Sequence, residues 1–277
     1  MRHPRSWLAL SCLALLALAS GAARQDAKPA ENSLSIQYLA NEGFLIRGNQ
    51  RSVLIDAFVG EPYYEYAALP PELLEQLGKK EAPFDAIDIA LTSHIHRDHF
   101  QVDVACRFLR ADSDVPLWST EQVIDTIRKQ DPKLPGEPTR LRSFWCEAGK
   151  SLTGKVEDVA IEFFPLQHAK DIQNLAHLID LGDWRVLHVG DANLDAKEYA
   201  PYALAKREID VAFLPFWYFL DAKDCASVRE WIGAKRYVAM HVPPKDFVDV
   251  RSKISANFPG VVMLAKGAEA TRLEPEK

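Results

Sequence analysis

Ser93-His94-Ile95-His96-Arg97-Asp98-His99-Phe100 places four metal-competent side chains within six positions of a 277-residue chain that holds only 8 histidines. His94 and His96 stand two apart, so in an extended segment both side chains point the same way and can grip one ion. Asp98 and His99 fall where the chain must already be turning, which directs them toward a second ion beside the first. Just upstream, the apolar run 87–91 reads as a buried strand, so the cluster sits on a strand-end loop. The competing reading is a solvated polar loop whose histidines cap helix ends. It accounts for the residue types but not for their spacing.

Outward from this loop, the pattern alternates between strands and helices. Leu34, Ile36 and Tyr38 alternate with polar neighbours as in a half-buried strand, and 44–47 and 52–55 read as two more strands around the turn Gly48-Asn49, ending at Asp56. A short helix begins near Pro71. Beyond the histidine loop come a helix over 104–110, a strand around Leu117 and a helix over 121–129, for which Ser119 and Gln122 offer a capping box. The second half repeats the theme, with strands over 159–164, 175–181 and 185–189 and a helix over 194–204. A strand over 211–214, a helix over 226–233, a strand over 237–240 and a helix over 247–257 follow. Two strand-rich openings, each trailed by helices, predict an α+β fold: two β-sheets packed face to face with helices on the outer faces, in one domain over 33–273.

Three further segments extend the opening motif. They are Pro165-Leu166-Gln167-His168, Val189-Gly190-Asp191 and Met240-His241-Val242-Pro243, each at the end of an expected strand. Together with the H-x-H-x-D-H string they resemble the metallo-β-lactamase superfamily, whose αββα sandwich carries a binuclear site at the sheet edges. The resemblance implies that His94, His96 and His168 hold one ion, that Asp98, His99 and His241 hold the other, and that Asp191 bridges them. Asp56 matches the early aspartate of that family, which supports a ligand rather than being one. The stretch from Asn174 through Asp180 and Val186 to Asp191 is similar to the branch containing ascorbate-phosphate lactonases and phospholipase-like relatives. True zinc β-lactamases generally lack the bridging aspartate or the full string, so antibiotic hydrolysis is not expected. The RNA-clamping arm or long extra domain of the nuclease branches has no counterpart here.

Imidazole and carboxylate donors without a thiolate suit two divalent ions, with Zn²⁺ as the default and Mn²⁺ or Fe²⁺ also accommodated. Two such ions lower the pKa of a water held between them, giving the nucleophile for cleavage of an ester, a lactone or a phosphodiester. Asp98 has a second expected role, orienting that nucleophile. No G-x-S-x-G elbow competes with this chemistry. Two alternatives stand beside it: a metal- or ligand-binding protein that keeps the scaffold without turnover, and an iron redox enzyme. The second would need an electron-carrier module for which the chain has no room.

Composition narrows the partners. With 48% hydrophobic and 26% charged residues, the chain has the make-up of an ordinary globular protein. Its net charge of −6 repels phosphate backbones, and no basic stripe with interleaved aromatics offsets this, so nucleic acid is not expected and a small molecule is. Arg2 and Arg5, the apolar run 7–19 and the small residues Ser20 to Ala23 have the anatomy of a signal peptide over 1–23, which implies a periplasmic or secreted protein. Cys12 inside that run fits a lipoprotein cleavage site poorly, so no stable membrane anchor is expected. Cys106, Cys146 and Cys225 would remain, and their pairing is open, as is the oligomeric state.

His177 and His188 lie within apolar strand patterns and read as core or surface residues, His177 being the better placed to approach the cleft. The aromatic run 213–220 and the tyrosines Tyr63, Tyr64 and Tyr66 are each either core or cleft lining. If they face the site, they favour an apolar or acyl-bearing substrate.

Overall fold

The computed structural model describes residues 32–136 and 139–275, so the expected leader over 1–23 lies outside the described residues. The first half builds β1 (Leu34–Ala40), β2 (Gly43–Gly48), β3 (Arg51–Ile55), β4 (Ile89–Leu91), β5 (Leu117–Ser119) and β6 (Leu141–Ser143). These form one 7-stranded sheet, with β14 (Ala270–Leu273) added beside β1. The second half builds β7 (Leu152–Val156), β8 (Val159–Pro165), β9 (Leu175–Asp180), β10 (Arg185–His188), β11 (Val211–Pro215), β12 (Arg236–Met240) and β13 (Val262–Met263), which form the other 7-stranded sheet.

Alternation in the first sheet shows how the layers are made. Phe44, Ile46, Val53, Ile55, Ile89 and Leu91 face the second sheet, whereas Leu45, Leu54 and Ala90 between them face outward. On that outer face they meet Leu73 and Leu77 of α1 (Pro71–Lys79), Val104 and Phe108 of α2 (Val102–Ala111) and Ile124 and Ile127 of α3 (Glu121–Gln130). Across the sheets Phe44 meets Phe213 edge to face, ring centroids 4.7 Å apart. Emptying such a position to alanine costs about 3–5 kcal/mol. Val228 of α5 (Ala222–Trp231) and Ile254 of α6 (Phe247–Asn257) join the core formed with the second sheet, completing the αββα sandwich.

Both sheets change from antiparallel to parallel pairing partway across, and this positions the site. β3, β4, β5 and β6 run parallel, as do β10, β11, β12 and β13. Parallel strands finish at one edge, so the residues after β3 and β4 and those after β10, β11 and β12 gather there. Ile55 pairs with Leu91, so Asp56 emerges beside the loop that begins at Thr92.

Several elements differ from the sequence expectation. Ser119 is the last residue of β5, its hydroxyl donating to Thr92 O at 2.6 Å, so it cannot cap α3. Thr120 is the cap instead, accepting from Val123 N at 3.3 Å, while Gln122 exchanges hydrogen bonds with the Asp171–Gln173 loop. The helix expected over 194–204 is α4 (Ala196–Tyr199) followed by 3₁₀ turns, because Pro201 lacks the N–H a longer helix needs. α5 starts four residues early, where the Asp221 carboxylate accepts from the backbone of Lys223 and Asp224, each at 2.9 Å. The edge strands β6, β7, β13 and β14 are absent from the sequence reading, being short or mostly polar. Cys106, Cys146 and Cys225 are all free thiols.

His177 lies wholly inside the core, paired in register with Phe163 on one side and His188 on the other. Neither ring nitrogen has a hydrogen-bond partner among the described residues. Burial therefore pushes the imidazole from its usual 6.5 down to about 3. Because the unfolded chain takes up this proton below pH 6.5 and the folded chain does not, the group subtracts stability as the pH falls from there towards 3. At up to about 1.4 kcal/mol per pH unit, H177L should lose about 2 kcal/mol less stability than the wild type between about pH 6.5 and 5. Urea unfolding at the two pH values checks this, and equal losses would contradict it.

Candidate metal centre

Seven side chains from four loops meet at the shared edge of the sheets. His94 follows β4 directly, and its loop is anchored by Asp56: Ser93 N donates to Asp56 Oδ1 at 2.6 Å and Ser93 Oγ to Oδ2 at 2.5 Å. His168 follows β8 and Asp191 follows β10, where Gly190 adopts a left-handed φ of 58°. A Cβ at Gly190 would stand 2.4 Å from Asn174 Oδ1 and 2.7 Å from Ser93 Cβ, so the closeness of the two loops depends on this glycine. His241 follows β12 in the same left-handed region, at φ 62°, a conformation a non-glycine residue holds at a cost of about 1–3 kcal/mol and that is concentrated at functional sites.

Asp191 is the hub. Its Oδ2 lies 3.7 Å from His94 Nε2, 3.5 Å from His168 Nε2 and 3.5 Å from His99 Nε2, while its Oδ1 lies 3.2 Å from His241 Nε2. Asp98 Oδ2 is 3.2 Å from His241 Nε2 and 3.7 Å from His99 Nε2. The ligand atoms of His94, His96, His168 and Asp191 all fall within 4.8 Å of one another, as do those of Asp98, His99 and His241. Either group is compact enough to hold an ion. His94 and His99 are fully buried, yet their Nε2 atoms have no hydrogen-bond partner among the described residues. Each such orphan costs about 1–3 kcal/mol, and a cation seated among them satisfies them together. Nitrogen and carboxylate oxygen donors in this number fit a divalent ion.

Each group has its own proton status. Burial drives the His94 imidazole well below its usual 6.5, and burial also lowers those of His96 and His168, so at neutral pH these three are free bases. Burial opposes charge on His99 and His241 as well, but there the Asp191 carboxylate outweighs it. His99 is held well above 6.5 and His241 is raised to about 10. The same cations hold Asp191 well below, and Asp98 below, the usual carboxylate value against the opposing effect of burial.

The surrounding frame includes residues the sequence reading passed over. His99 Nδ1 lies 3.1 Å from Asp56 Oδ2, which turns Nε2 inward. Asn41 donates through Nδ2 to Asp98 Oδ2 at 3.1 Å and fixes that carboxylate. Glu42 is wholly buried beside His99, its Oε2 3.6 Å from His99 Nδ1. One signal was present: Asn41 and Glu42 are the only strongly polar residues within 38–46, where an acid has no reason to be unless something beneath needs it. His188, not His177, touches this frame, meeting Glu42 O through Nε2 at 3.1 Å and accepting from Gly190 N at 3.2 Å. The aromatic segments divide. Tyr66 and Trp217 stack edge-on against His241 with centroids 4.2 and 5.2 Å away, whereas Tyr218 and Phe219 belong to the core. Tyr63 lies 4.4 Å from Tyr64 and under the Arg97 guanidinium, 5.6 Å from its centroid.

Residues 51–257 match the family described as the Beta-lactamase superfamily domain. No curated protein matches the sequence. Among solved structures, the metallo-beta-lactamase fold protein YhfI from Bacillus subtilis is similar at TM-score 0.59 and 15% identity, over 87% of this chain and 99% of that one. Igni18, a metallo hydrolase from the archaeon Ignicoccus hospitalis, is similar at TM-score 0.61 and 16% identity, over 88% and 99%. A possible metal-dependent hydrolase from Veillonella parvula is similar at TM-score 0.62 and 15% identity, over 87% and 99%. At these identities the structural likenesses establish the fold.

The protonation asymmetry has a measurable consequence. An ion entering the Asp98–His99–His241 group displaces protons from His99 and His241, so its affinity should rise with pH throughout the range below about 10. An ion entering the His94–His96–His168 group displaces none above about pH 6.5. Calorimetry of zinc binding in buffers of different ionisation enthalpy should show proton release confined to one of two equivalents, and equal release in both would contradict the assignment. Asp191→Ala should lose bound metal, whereas His188→Ala, whose ring nitrogens both face backbone groups, should keep most of it.

Proposed function

The chain belongs to the Beta-lactamase superfamily domain family, and from that premise we propose that it is an exported binuclear metal-dependent hydrolase acting on an ester, lactone or phosphodiester with an apolar arm. The family and the metallo-hydrolase fold support a metal-dependent hydrolase in general. The observation that carries the reading is Asp191, which turns one oxygen to His94, His168 and His99 and the other to His241, as a bridging carboxylate must. In this reading His94, His96 and His168 hold one ion, Asp98, His99 and His241 hold the other, and Asp191 serves both. Bound there, two zinc ions supply Lewis acidity that activates water at neutral pH and polarises the substrate oxygen under attack.

The protein's own residues do the remaining work. Asp98, fixed by Asn41 Nδ2 at 3.1 Å, presents a carboxylate of set orientation that would orient the attacking water. Tyr66 and Trp217, both half-buried against His241, flank the centre with aromatic surface that holds an acyl or other apolar arm. Tyr63 and the exposed Tyr64 extend that surface outward, and Arg97 beside them offers a cation to an anionic group near the scissile bond. A membership within the ascorbate-phosphate lactonase and phospholipase-like branch, suggested by 174–191, agrees with such a substrate. The net negative charge and the expected leader support an exported small-molecule enzyme over a nucleic-acid one.

Purified protein loaded with zinc should hydrolyse at least one class among p-nitrophenyl esters, lactones and bis(p-nitrophenyl) phosphate, and a chelator should abolish turnover. Stoichiometric metal with no turnover on any of them would overturn the enzymatic reading and leave a non-catalytic binding protein. If Trp217 holds the apolar arm, W217A should raise KM about tenfold for a long-chain ester, equivalent to about 1.4 kcal/mol, and leave a short-chain ester little changed. Equal effects on both would remove Trp217 from substrate recognition.

A further inference from the structure

Glu42 is completely buried, and neither carboxylate oxygen has a hydrogen-bond partner among the described residues. Its position is built rather than incidental. The Asn41-Glu42 turn joins β1 to β2, and Gly43 lets β2 start hard against the end of β3: a Cβ there would lie 2.7 Å from Asp56 O and 3.1 Å from Ala40 O. From the other sheet His188 Nε2 meets Glu42 O at 3.1 Å. The turn is thus pressed beneath the centre from both sides, with Oε2 3.6 Å from His99 Nδ1.

The neighbours decide what this carboxylate faces. Glu42, Asp56 and His188 fall within 4.8 Å of one another, but that group has no donor to spare for an ion. His188 accepts from Gly190 N through Nδ1, which leaves Nε2 as the N–H that Glu42 O accepts, so neither ring nitrogen retains a lone pair. The Asp56 oxygens are occupied by Ser93 N, Ser93 Oγ and His99 Nδ1. Glu42, His99 and Asp191 also fall within 4.8 Å of one another, and two of the three are residues of the proposed binuclear site. Asp56 and Asp98 each have a donor from the frame; Glu42 has none. Charge on a buried carboxylate without a hydrogen-bond donor is costly unless cations stand beside it, and His99 at 3.6 Å is the cation the frame supplies. Glu42 also raises the buried carboxylates around the centre from Asp56, Asp98 and Asp191 to four, matching the charge of two divalent ions.

We propose that Glu42 is an anionic member of the second ion's site, a buried carboxylate beside His99 and Asp191 whose charge is balanced by the ion bound there. This inference rests on the binuclear reading of the preceding subsection and adds a positioning residue to it. It also predicts an unusual combination of effects, because a buried acid without a hydrogen-bond donor burdens the metal-free protein while strengthening the loaded one.

Glu42→Gln keeps the side-chain shape and removes the charge. With zinc as the probe, E42Q should retain the first equivalent at wild-type affinity and bind the second at least about tenfold more weakly in chelator competition. Its metal-free form should melt no lower than the metal-free wild type, while saturating zinc should raise its Tm by less. Two equivalents at wild-type affinity would overturn the proposal, and so would a lower metal-free Tm with unchanged affinity, the signature of a purely structural acid. If E42Q does not fold, E42D carries the test: moving the carboxylate back by one methylene should weaken the second equivalent alone, and unchanged affinity for both overturns the proposal. A wild-type chain that fails to take two zinc ions would instead refute the binuclear reading itself.

Discussion

The structure turns on one carboxylate placed between two sets of imidazoles. Asp191 reaches His94, His168 and His99 with one oxygen and His241 with the other. Without compensation, so many buried nitrogens and carboxylates at the end of an apolar sandwich would cost more than a domain of this size can carry. In the metal-free protein, cationic His99 and His241 offset Asp191 and Asp98, as their raised and lowered pKa values record. The arrangement is held ready for a stronger cation.

What brings these residues together is strand direction. Because β3 and β4 run parallel in one sheet and β10, β11 and β12 run parallel in the other, five chain segments deliver their next residue to the same edge. Packing of the two apolar faces, Phe44 on Phe213 among them, then brings those edges into contact. The hydrogen bond from Leu175 N to Ser93 O at 3.0 Å joins them directly, and Asn174 Nδ2 donates to Val189 O at 3.1 Å within the second sheet's loops. The hydrophobic core supplies the energy and the loops supply the chemistry, with the ligands placed soon after the strand ends.

How much of this could be read from the sequence depends on how local each signal is. The two-sheet architecture was legible because strands such as 34–38 and 159–164 alternate cleanly, and the histidine string because its members lie within six residues. His168, Asp191 and His241 are isolated in sequence, and only family resemblance, with their places after strands, singled them out. Glu42 and Asn41 left one faint mark, as the only strongly polar residues within 38–46; their importance comes from a close approach of β2 to β3 that a single glycine permits, and no periodicity encodes that. The cap at Thr120 rather than Ser119 turned on where β5 ends, a one-residue matter set by tertiary pairing. The edge strands β7 and β14 escaped because exposed edges carry polar residues and lose the alternation that marks a strand.

The most direct measurement is anomalous diffraction at the zinc edge from crystals of the protein grown with zinc. The account predicts two peaks about 3.5–4 Å apart, one among His94, His96 and His168, the other among Asp98, His99 and His241, with the Asp191 carboxylate between them. A single peak, or ions bound away from Asp191, would contradict it.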